Sequence, residues 1–255
     1  MTKTASLALV VALALPALAP AAEPEAGKAA EPTQALAWSD WTAGNDVRDI
    51  ASLQRGARNF MNYCSGCHSL KYLRYSRLGA DLHITDAQLS KNLIFNGDKT
   101  TDYIVSSLSA ADGEAWFGKA PPDLSLMGRS RGPDYLYRFL KTFYVDDTRP
   151  TGSNNLALAN AAMPAVLSEL EGVKAPVYKD IGGVKTLVDF ETVQPGAMTA
   201  EQYDAFVRDT VNFLDYVGEP AQVERRDIGV WVVLFLLVFT WLAWLLKKEY
   251  WKDVH

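Results

Sequence analysis

The chain is organised around residues 59–68, which read NFMNYCSGCH. Within them, Cys64, Cys67 and His68 form a Cys-x-x-Cys-His motif, which is the spacing of covalent c-type haem attachment. Cysteines three residues apart on a helix-like segment face the same side, so both thiols can reach vinyl groups along one edge of a porphyrin. The adjacent imidazole of His68 can then point at the iron as its proximal ligand. The motif predicts one covalently bound haem c.

Two other uses of a cysteine pair have to be weighed against haem. The motif contains the only two cysteines of the chain, and the other histidines, His83 and His255, each stand alone in the sequence. A structural zinc site needs a second pair of ligands at a metal-binding spacing. A redox-active Cys-x-x-Cys is expected beside a strand–helix pattern of thioredoxin type, and none precedes this motif. The sequence therefore favours haem over zinc and over dithiol redox chemistry.

The N-terminal residues predict export from the cytoplasm. Residues 1–22 have a basic start, an apolar run and then a cluster of small residues, which is the pattern of a secretory signal peptide. The apolar run is too short to span a membrane and is interrupted by Pro16. Residues 23–37 are rich in Ala, Pro and Glu and are predicted to be a disordered linker. Export fits haem attachment, which in c-type cytochromes takes place outside the cytoplasm.

The C-terminal part predicts a membrane anchor. An uncharged run of 19 residues, Ile228 to Leu246, reads IGVWVVLFLLVFTWLAWLL and matches the ~20 residues that cross a bilayer core. Tryptophans near its ends and the Lys247-Lys248 pair after it are the usual flanks of such a helix. We predict a transmembrane segment at 227–247 and a cytoplasmic tail at 248–255. Together with the signal peptide, this places residues 38–226 in the periplasm, on a single-pass protein of the inner membrane.

Size and charge restrict the function of the exported part. About 190 residues remain between the two ends, which is the size of one ordinary domain. The net charge of −5 argues against nucleic acid as a partner. It is compatible with a basic protein partner.

Four segments of the exported part have helix signals. Residues 49–63 place apolar side chains every three or four positions and lead into the haem motif. Capping boxes begin two further helices, one at about 86–95 and one that runs from Thr199 to Gly218. A fourth helix begins at Gly132-Pro133. Its predicted apolar face consists of Leu136, Phe139, Leu140 and Phe143.

The remaining segments predict loops and one hairpin. Residues 96–122 look loop-rich, and residues 146–162 form a loop of small and polar residues. The Gly182-Gly183 pair predicts the turn of a small hairpin between Val177 and Val193. The basic and aromatic stretch 69–75 is compatible with a solvated helix exit and equally with a lining of the haem edge.

A second iron ligand is expected, because an electron-transfer haem usually has both axial positions filled and methionine opposite histidine raises the reduction potential. Met127, Met163 and Met198 are the candidates. Met163 lies between small residues and a proline, a setting that lets the backbone pass close to a flat ring. Spacing alone gives it only a modest preference, and His83 remains as a bis-histidine alternative.

Two arginines are candidates for contact with the haem propionates. Arg129 and Arg131 stand just before the predicted helix at Gly132-Pro133. Propionates favour arginine partners through charge-assisted hydrogen bonds. The alternative is that both arginines are exposed in a loop.

Taken in order, these residues resemble the cytochrome c1 family, the c-type haem subunits of cytochrome bc1 complexes. The resemblance covers nearly the whole mature chain, from about Trp38 to the C-terminus, and includes the single C-terminal anchor. It rests on four stretches: Ser52–Gly56, Tyr63–Tyr75, Pro121–Ser125 with the following Arg129, Arg131 and Tyr135, and Ala162–Pro164.

The resemblance implies that Cys64 and Cys67 hold the haem and that His68 and Met163 ligate its iron. It places two further side chains near a propionate: Arg131 and Tyr135. Relatives sometimes have an additional cysteine pair near the loop before the methionine ligand. This chain has none, so the resemblance implies that packing holds the loop.

The implied fold is a mostly α-helical, class I-like cytochrome c domain with loop insertions, a small β-hairpin and one C-terminal transmembrane helix. The implied function is electron transfer within a ubiquinol–cytochrome c oxidoreductase complex, with no enzymatic activity of the subunit by itself. Its electrons would come from the Rieske iron–sulfur protein and go to a soluble or tethered cytochrome c, with cytochrome b as a further partner. A free-standing membrane-anchored electron-carrier cytochrome is the alternative.

Overall fold

A computed structural model of the chain describes residues 34–253. The predicted signal peptide and residues 23–33 of the predicted linker lie outside the described residues, as do the last two residues of the predicted tail. The described part contains nine α-helices, six short strands and a 3₁₀ helix at Trp38–Asp40.

The helices are α1 (Ile50–Tyr63), α2 (Tyr75–Leu82), α3 (Asp86–Asn92), α4 (Ala110–Phe117), α5 (Met127–Arg131), α6 (Pro133–Lys141), α7 (Ser168–Glu171), α8 (Ala200–Gly218) and α9 (Gln222–Tyr250). The strands are β1 (Leu70–Arg74), β2 (Tyr103–Ile104), β3 (Phe143–Val145), β4 (Ser153–Asn155), β5 (Gly172–Ile181) and β6 (Val184–Pro195). The predicted mostly α-helical fold is confirmed.

Capping residues determine where the predicted helices begin. Asp49 caps α1, since its carboxylate accepts a hydrogen bond from Ser52 N at 3.0 Å. Both predicted capping boxes are present, at the starts of α3 and α8. Pro133 occupies the first turn of α6, where its missing N–H group has no intrahelical partner to lose. Helix α3 ends at Asn92, earlier than predicted.

One expectation about the remaining segments was wrong, and two others are refined by the structure. Phe143 belongs to β3 and not to α6, because Thr142 ends the helix by donating its hydroxyl to Arg138 O at 2.8 Å. The loop-rich range 96–122 contains β2 and α4, and α4 is capped by Ser109, which accepts from Asp112 N at 3.1 Å. The stretch 69–75, for which a solvated helix exit and a haem-edge lining were both open, contains the strand β1.

The strands form three separate antiparallel pairs: β1 with β2, β3 with β4 and β5 with β6. The predicted hairpin is confirmed as β5–β6 and is longer than expected. Its turn consists of Gly182 and Gly183, whose φ angles of 64° and 84° favour glycine.

The core of the described domain is built on the contact between α1 and α8. Leu53, Ala57 and Phe60, on the predicted apolar face of α1, are buried in this core. The two backbones approach so closely that a Cβ at Gly56 would lie 2.0 Å from Asp209 O. Arg55 forms a two-pronged ion pair with the carboxylate of Asp209, at 2.6 and 2.8 Å. Helix α8 therefore fixes the position of the helix that ends at the haem motif.

A cluster of charged side chains ties α6 to α8. The carboxylate of Asp204 accepts hydrogen bonds from Lys141, Tyr137 and Arg208, the last at 2.6 Å. Arg208 also donates to Thr42 O at 3.2 Å and so joins the N-terminal segment to the cluster. Burial alone would raise the pKa of Asp204, but the three donors outweigh it and lower the pKa to about 2.

Helix α9 has the composition of a membrane anchor. Among the described residues it is the one helix long and apolar enough to cross a bilayer. Its 29 residues correspond to about 43 Å at 1.5 Å per residue, against ~30 Å for the hydrocarbon core. Helix α8 ends at Gly218, so the predicted stop before the anchor is confirmed.

We expect Gly56→Ala to destabilise the domain, because the new methyl group would force α1 away from α8. Overpacking of a close-packed interface costs about 1–3 kcal/mol, and contact with a rigid backbone places this site at the upper end. Urea unfolding followed by circular dichroism measures the effect. Ala51→Leu, which adds carbon atoms on the exposed face of the same helix, is the control; equal stability of the two variants would contradict the α1–α8 contact.

We expect Asp204→Asn to lower the free energy of unfolding at pH 7 by about 2 kcal/mol. This value corresponds to the difference between the pKa of about 2 in the folded protein and the ordinary pKa of 3.8. Because the pKa of Asp204 is lower in the folded protein than in the unfolded chain, its ionised carboxylate stabilises the fold at any pH above the unfolded-state pKa. This stabilisation is lost as the pH falls through the folded-state pKa. The difference between wild type and variant should therefore shrink between pH 4 and pH 2. Asp147→Asn, at an exposed carboxylate, is the control. A difference that does not depend on pH would contradict the assignment.

Candidate haem site

The Cys-x-x-Cys-His motif forms a tight turn at the C-terminal end of α1. Cys64 N donates to Phe60 O at 2.9 Å, and His68 N donates to Cys64 O at 2.8 Å. Both cysteines are free thiols. Cys64 is half-buried and packs against the core, whereas Cys67 is exposed. The two thiols therefore differ in their exposure to solvent, although they belong to the same turn.

The imidazole of His68 is held by a backbone carbonyl. Its Nδ1 lies 2.8 Å from Pro122 O, and because a carbonyl only accepts, Nδ1 bears the proton and Nε2 keeps its lone pair. Burial lowers the pKa of His68, although the Pro122 hydrogen bond and the Asp123 carboxylate act in the opposite direction. A neutral imidazole with a fixed tautomer is the form that ligates a metal.

The segment that bears this carbonyl is itself fixed along the start of β1. Leu124 N donates to Ser69 O at 2.9 Å. Asp123 Oδ2 accepts from Lys71 N at 2.9 Å, and Ser125 Oγ accepts from Tyr72 N at 3.2 Å. At the level of sequence, this stretch served only as part of the resemblance to a known family. The contact with the haem motif was missed, because it joins segments about 50 residues apart.

The thiol of Cys64 has the opposite character from a redox nucleophile. Burial, with a smaller contribution from Cys67, raises the pKa of Cys64 to about 12. Reactive dithiol cysteines need a lowered pKa, since the thiolate is the attacking species. The raised pKa of Cys64 therefore argues against dithiol exchange.

The structure separates the three candidate methionines by their surroundings. Met127 and Met198 are half-buried and pack against the hydrophobic core. The sulfur of Met127 also lies 3.9 Å from Ser130 Oγ. Met163 is half-buried on the loop between β4 and α7 and lines a cavity. His83 is exposed, at the left-handed residue that ends α2.

The cavity beside Met163 has a volume of about 320 Å³. Its walls come from α6, β3, the Met163 loop and the start of β5, and none of the haem motif residues lines it. An ion pair between Lys174 and Glu171, 2.5 Å apart, closes one side. Burial raises the pKa of Glu171 and lowers that of Lys174, while each partner opposes this effect on the other. Met163 therefore borders an open space, although the haem motif does not border the same space.

The two candidate arginines have different partners. Arg129 forms an ion pair with Glu219 at the end of α8. Arg131 is exposed, and its guanidinium lies over the ring of Tyr135, 5.6 Å from the centroid. Within the described residues Arg131 makes no ion pair, so its charge is available to an anionic group. Both arginines belong to or end α5 and do not lie in a loop.

The donor set fits a covalently bound haem. Two free thiols stand three residues apart, the following histidine has a free Nε2, and a thioether stands on a separate loop outside the core. Thioether bonds to the vinyl groups need the thiols, and a low-spin iron takes imidazole nitrogen and thioether sulfur as axial ligands.

Comparison with known proteins finds relatives that cover most of the chain. The Cytochrome C1 family matches residues 43–254. The cytochrome c1 of Allochromatium vinosum is 50% identical over 217 residues, which cover 84% of this chain and 89% of that protein. The ammonia monooxygenase gamma subunit of Nitrosomonas europaea is 43% identical over 212 residues, 82% of this chain and 86% of that protein. The cytochrome b/c1 of Bradyrhizobium diazoefficiens is 28% identical over 240 residues, 81% of this chain and 34% of that protein.

The family match extends over most of the described domain and α9, and the predicted resemblance is confirmed. Members of this family contain a covalently bound haem c. The chain belongs to the cytochrome c1 family, the haem c-bearing electron-transfer subunits of cytochrome bc1 complexes.

Proposed function

We propose that Cys64 and Cys67 bind the haem of this chain and that His68 and Met163 are the axial ligands of its iron. The observation that carries the proposal is the hydrogen bond between His68 Nδ1 and Pro122 O. It leaves Nε2 as the one ring nitrogen that can bind iron. Met163 is proposed because the other two methionines are packed against the core.

The bound haem would supply a one-electron ferric–ferrous couple. The protein contributes a low reorganisation energy, because His68 cannot rotate without breaking its bond to the Pro122 carbonyl. That carbonyl in turn is fixed by the bonds of Asp123 and Leu124 to the start of β1. A thioether ligand from Met163 would raise the reduction potential. No proton transfer is required of these residues.

Arg131 and Tyr135 are proposed to bind a haem propionate. The guanidinium of Arg131 lies over the Tyr135 ring, which in turn stacks on Phe139 with centroids 6.3 Å apart. This stacking leaves the N–H groups of Arg131 free to donate to a carboxylate. Arg129 is not proposed for this role, because its charge is already paired with Glu219.

We further propose that the chain takes electrons from a Rieske iron–sulfur protein and passes them to a soluble or tethered cytochrome c. A cytochrome b partner is supported by the relative named cytochrome b/c1, of which this chain covers 34%. The family assignment and a potential raised by methionine ligation support this direction of transfer.

The proposed topology places residues 38–226 in the periplasm and residues 248–255 in the cytoplasm, with residues 1–22 removed as a signal peptide. Support comes from α9, whose apolar segment is followed by Lys247 and Lys248. Haem attachment outside the cytoplasm requires this orientation.

Purification in mild detergent tests the partners. We expect an affinity-tagged chain to bring with it a b-type haem protein and an iron–sulfur protein, detected by optical and electron paramagnetic resonance spectra. Reduction by ubiquinol and oxidation by added cytochrome c should then occur in sequence. Isolation of the chain with its c-type haem alone, under conditions that keep membrane complexes intact, would favour a free-standing electron carrier.

We expect Met163→Leu to leave the haem attached and to lower the midpoint potential by on the order of 0.1 V, within the ~0.8 V range that axial ligands control. The ferrous variant should also bind carbon monoxide at neutral pH, because leucine offers no ligand. Redox titration and carbon monoxide difference spectra measure both effects. Met127→Leu, the same exchange at a methionine of the core, is the matched control. An unchanged potential in Met163→Leu would remove Met163 as the ligand.

A further inference from the structure

Strand β4 has an unusual composition for a buried strand. Its three residues, Ser153, Asn154 and Asn155, are all polar, and all are buried, with Asn155 only 1% exposed. Buried polar side chains are destabilising unless hydrogen bonds satisfy them. The loop that follows β4 supplies those bonds, and this loop contains Met163.

The two asparagine side chains bind the backbone of the loop in its first half. Asn155 Oδ1 accepts from Ala157 N at 2.9 Å and from Leu158 N at 3.1 Å. Asn154 Oδ1 accepts from Asn160 N at 2.8 Å, at a residue whose φ of 62° is left-handed. Three backbone N–H groups of the loop thus donate to two side-chain oxygens, Asn154 Oδ1 and Asn155 Oδ1.

The other atoms of the strand complete the attachment. Asn155 Nδ2 donates to Phe139 O at 2.7 Å, which ties the strand to α6. Asn154 Nδ2 donates to Asp146 Oδ2 at 2.9 Å. Beyond Met163, Ala165 N donates to Ser153 Oγ at 3.2 Å. The methionine is therefore enclosed between loop positions that are fixed on both sides.

These contacts add hydrogen bonds to the packing that was expected to hold the loop in the absence of a disulfide. Backbone N–H groups of the loop donate to side-chain oxygens of β4. They resist displacement of the backbone along several directions at once, as a single cross-link would not.

We propose that Asn154 and Asn155 are positioning residues that keep the Met163 sulfur on the haem iron and thereby maintain the reduction potential. This inference rests on the proposed role of Met163 as axial ligand. Without the side-chain amides the loop would lose three backbone partners, and the sulfur would spend part of its time away from the iron. The released state would have an open sixth position.

Asn155→Ala is the first test, on the full-length haem-loaded protein. We expect the sulfur-to-iron charge-transfer absorption of the ferric form to fall and the midpoint potential to decrease. Carbon monoxide should bind the ferrous form about tenfold faster, since the loss of a buried hydrogen bond shifts the population of the open state by about that factor. Unchanged absorption and carbon monoxide binding in a folded Asn155→Ala protein would overturn the proposal.

Asn212→Ala is the matched control. Asn212 is also 1% exposed, and its amide donates to Asp46 O at 2.8 Å and to Ser52 Oγ at 3.0 Å, away from the Met163 loop. It should lower the stability of the domain without changing the absorption or the carbon monoxide rate. The same spectral change in both variants would mean a general loss of stability, and the positioning role would be refuted.

A reciprocal exchange covers the case in which Asn155→Ala does not fold. Asn154→Asp places a carboxylate against Asp146 and should weaken methionine ligation. Adding Asp146→Asn restores a donor–acceptor pair and should recover the absorption, whereas no recovery would count against the proposal. Met163→Leu, measured in parallel, separates the two levels of inference. If Met163→Leu retains the charge-transfer absorption, the proposed ligand itself is wrong. If Met163→Leu loses the absorption and the asparagine variants keep it, only the positioning role fails.

Discussion

The close contact of α1 with α8 is the constraint on which the rest of the structure depends. Gly56 lets the two backbones approach each other closely. This approach buries Phe60 and the other apolar residues on the same face of α1. The haem motif begins at the last turn of α1, so its position is inherited from this contact. Helix α5 approaches α8 in the same way, since a Cβ at Gly128 would lie 2.4 Å from Leu214 O. Helix α8 is therefore the common reference for the cysteine motif and for the arginine–tyrosine pair.

Around this apolar framework, hydrogen bonds fix the segments that bear the proposed ligands. Pro122 O holds the His68 ring, and two asparagines of β4 hold the loop of Met163. Both sets of hydrogen bonds connect the segment of a proposed ligand to a part of the fold that is itself held in place. A hydrogen bond in a partly buried site is worth about 1 kcal/mol net, but leaving its partner unsatisfied costs more. Each segment therefore has one favoured arrangement, which is what a stable reduction potential requires.

Local signals in the sequence predicted what local physics determines. The capping boxes of α3 and α8, Pro133 at the start of α6 and the double-glycine turn of the hairpin were all found at the expected positions. The predicted extension of α6 to Phe143 failed, because pairing of β3 with β4 decides that residue, and β4 lies ten residues further on. The short helices α2, α4, α5 and α7 were missed, since packing and not periodicity stabilises helices of that length.

The site shows the same division. The spacing of Cys64, Cys67 and His68 is enough to predict a haem, because attachment chemistry acts over a few adjacent residues. The choice among three methionines could not be made from spacing, because it depends on which of the three side chains pack against the hydrophobic core. Likewise, only the fold shows that Arg129 is paired with Glu219 while Arg131 is not.

The junction between the haem domain and α9 differs in character from the ligand segments. Its ion pairs, Arg129–Glu219, Arg225–Glu219 and Arg48–Asp227, all include an arginine that is more than half exposed. Exposed pairs of this kind contribute about 0–1 kcal/mol each. They are too weak to fix the haem domain over the membrane, in contrast to the buried bonds that fix the ligands. The chain thus combines ligand segments that buried hydrogen bonds hold with a charged junction to α9 that adds little stability, although Val223 of α9 also packs against the core.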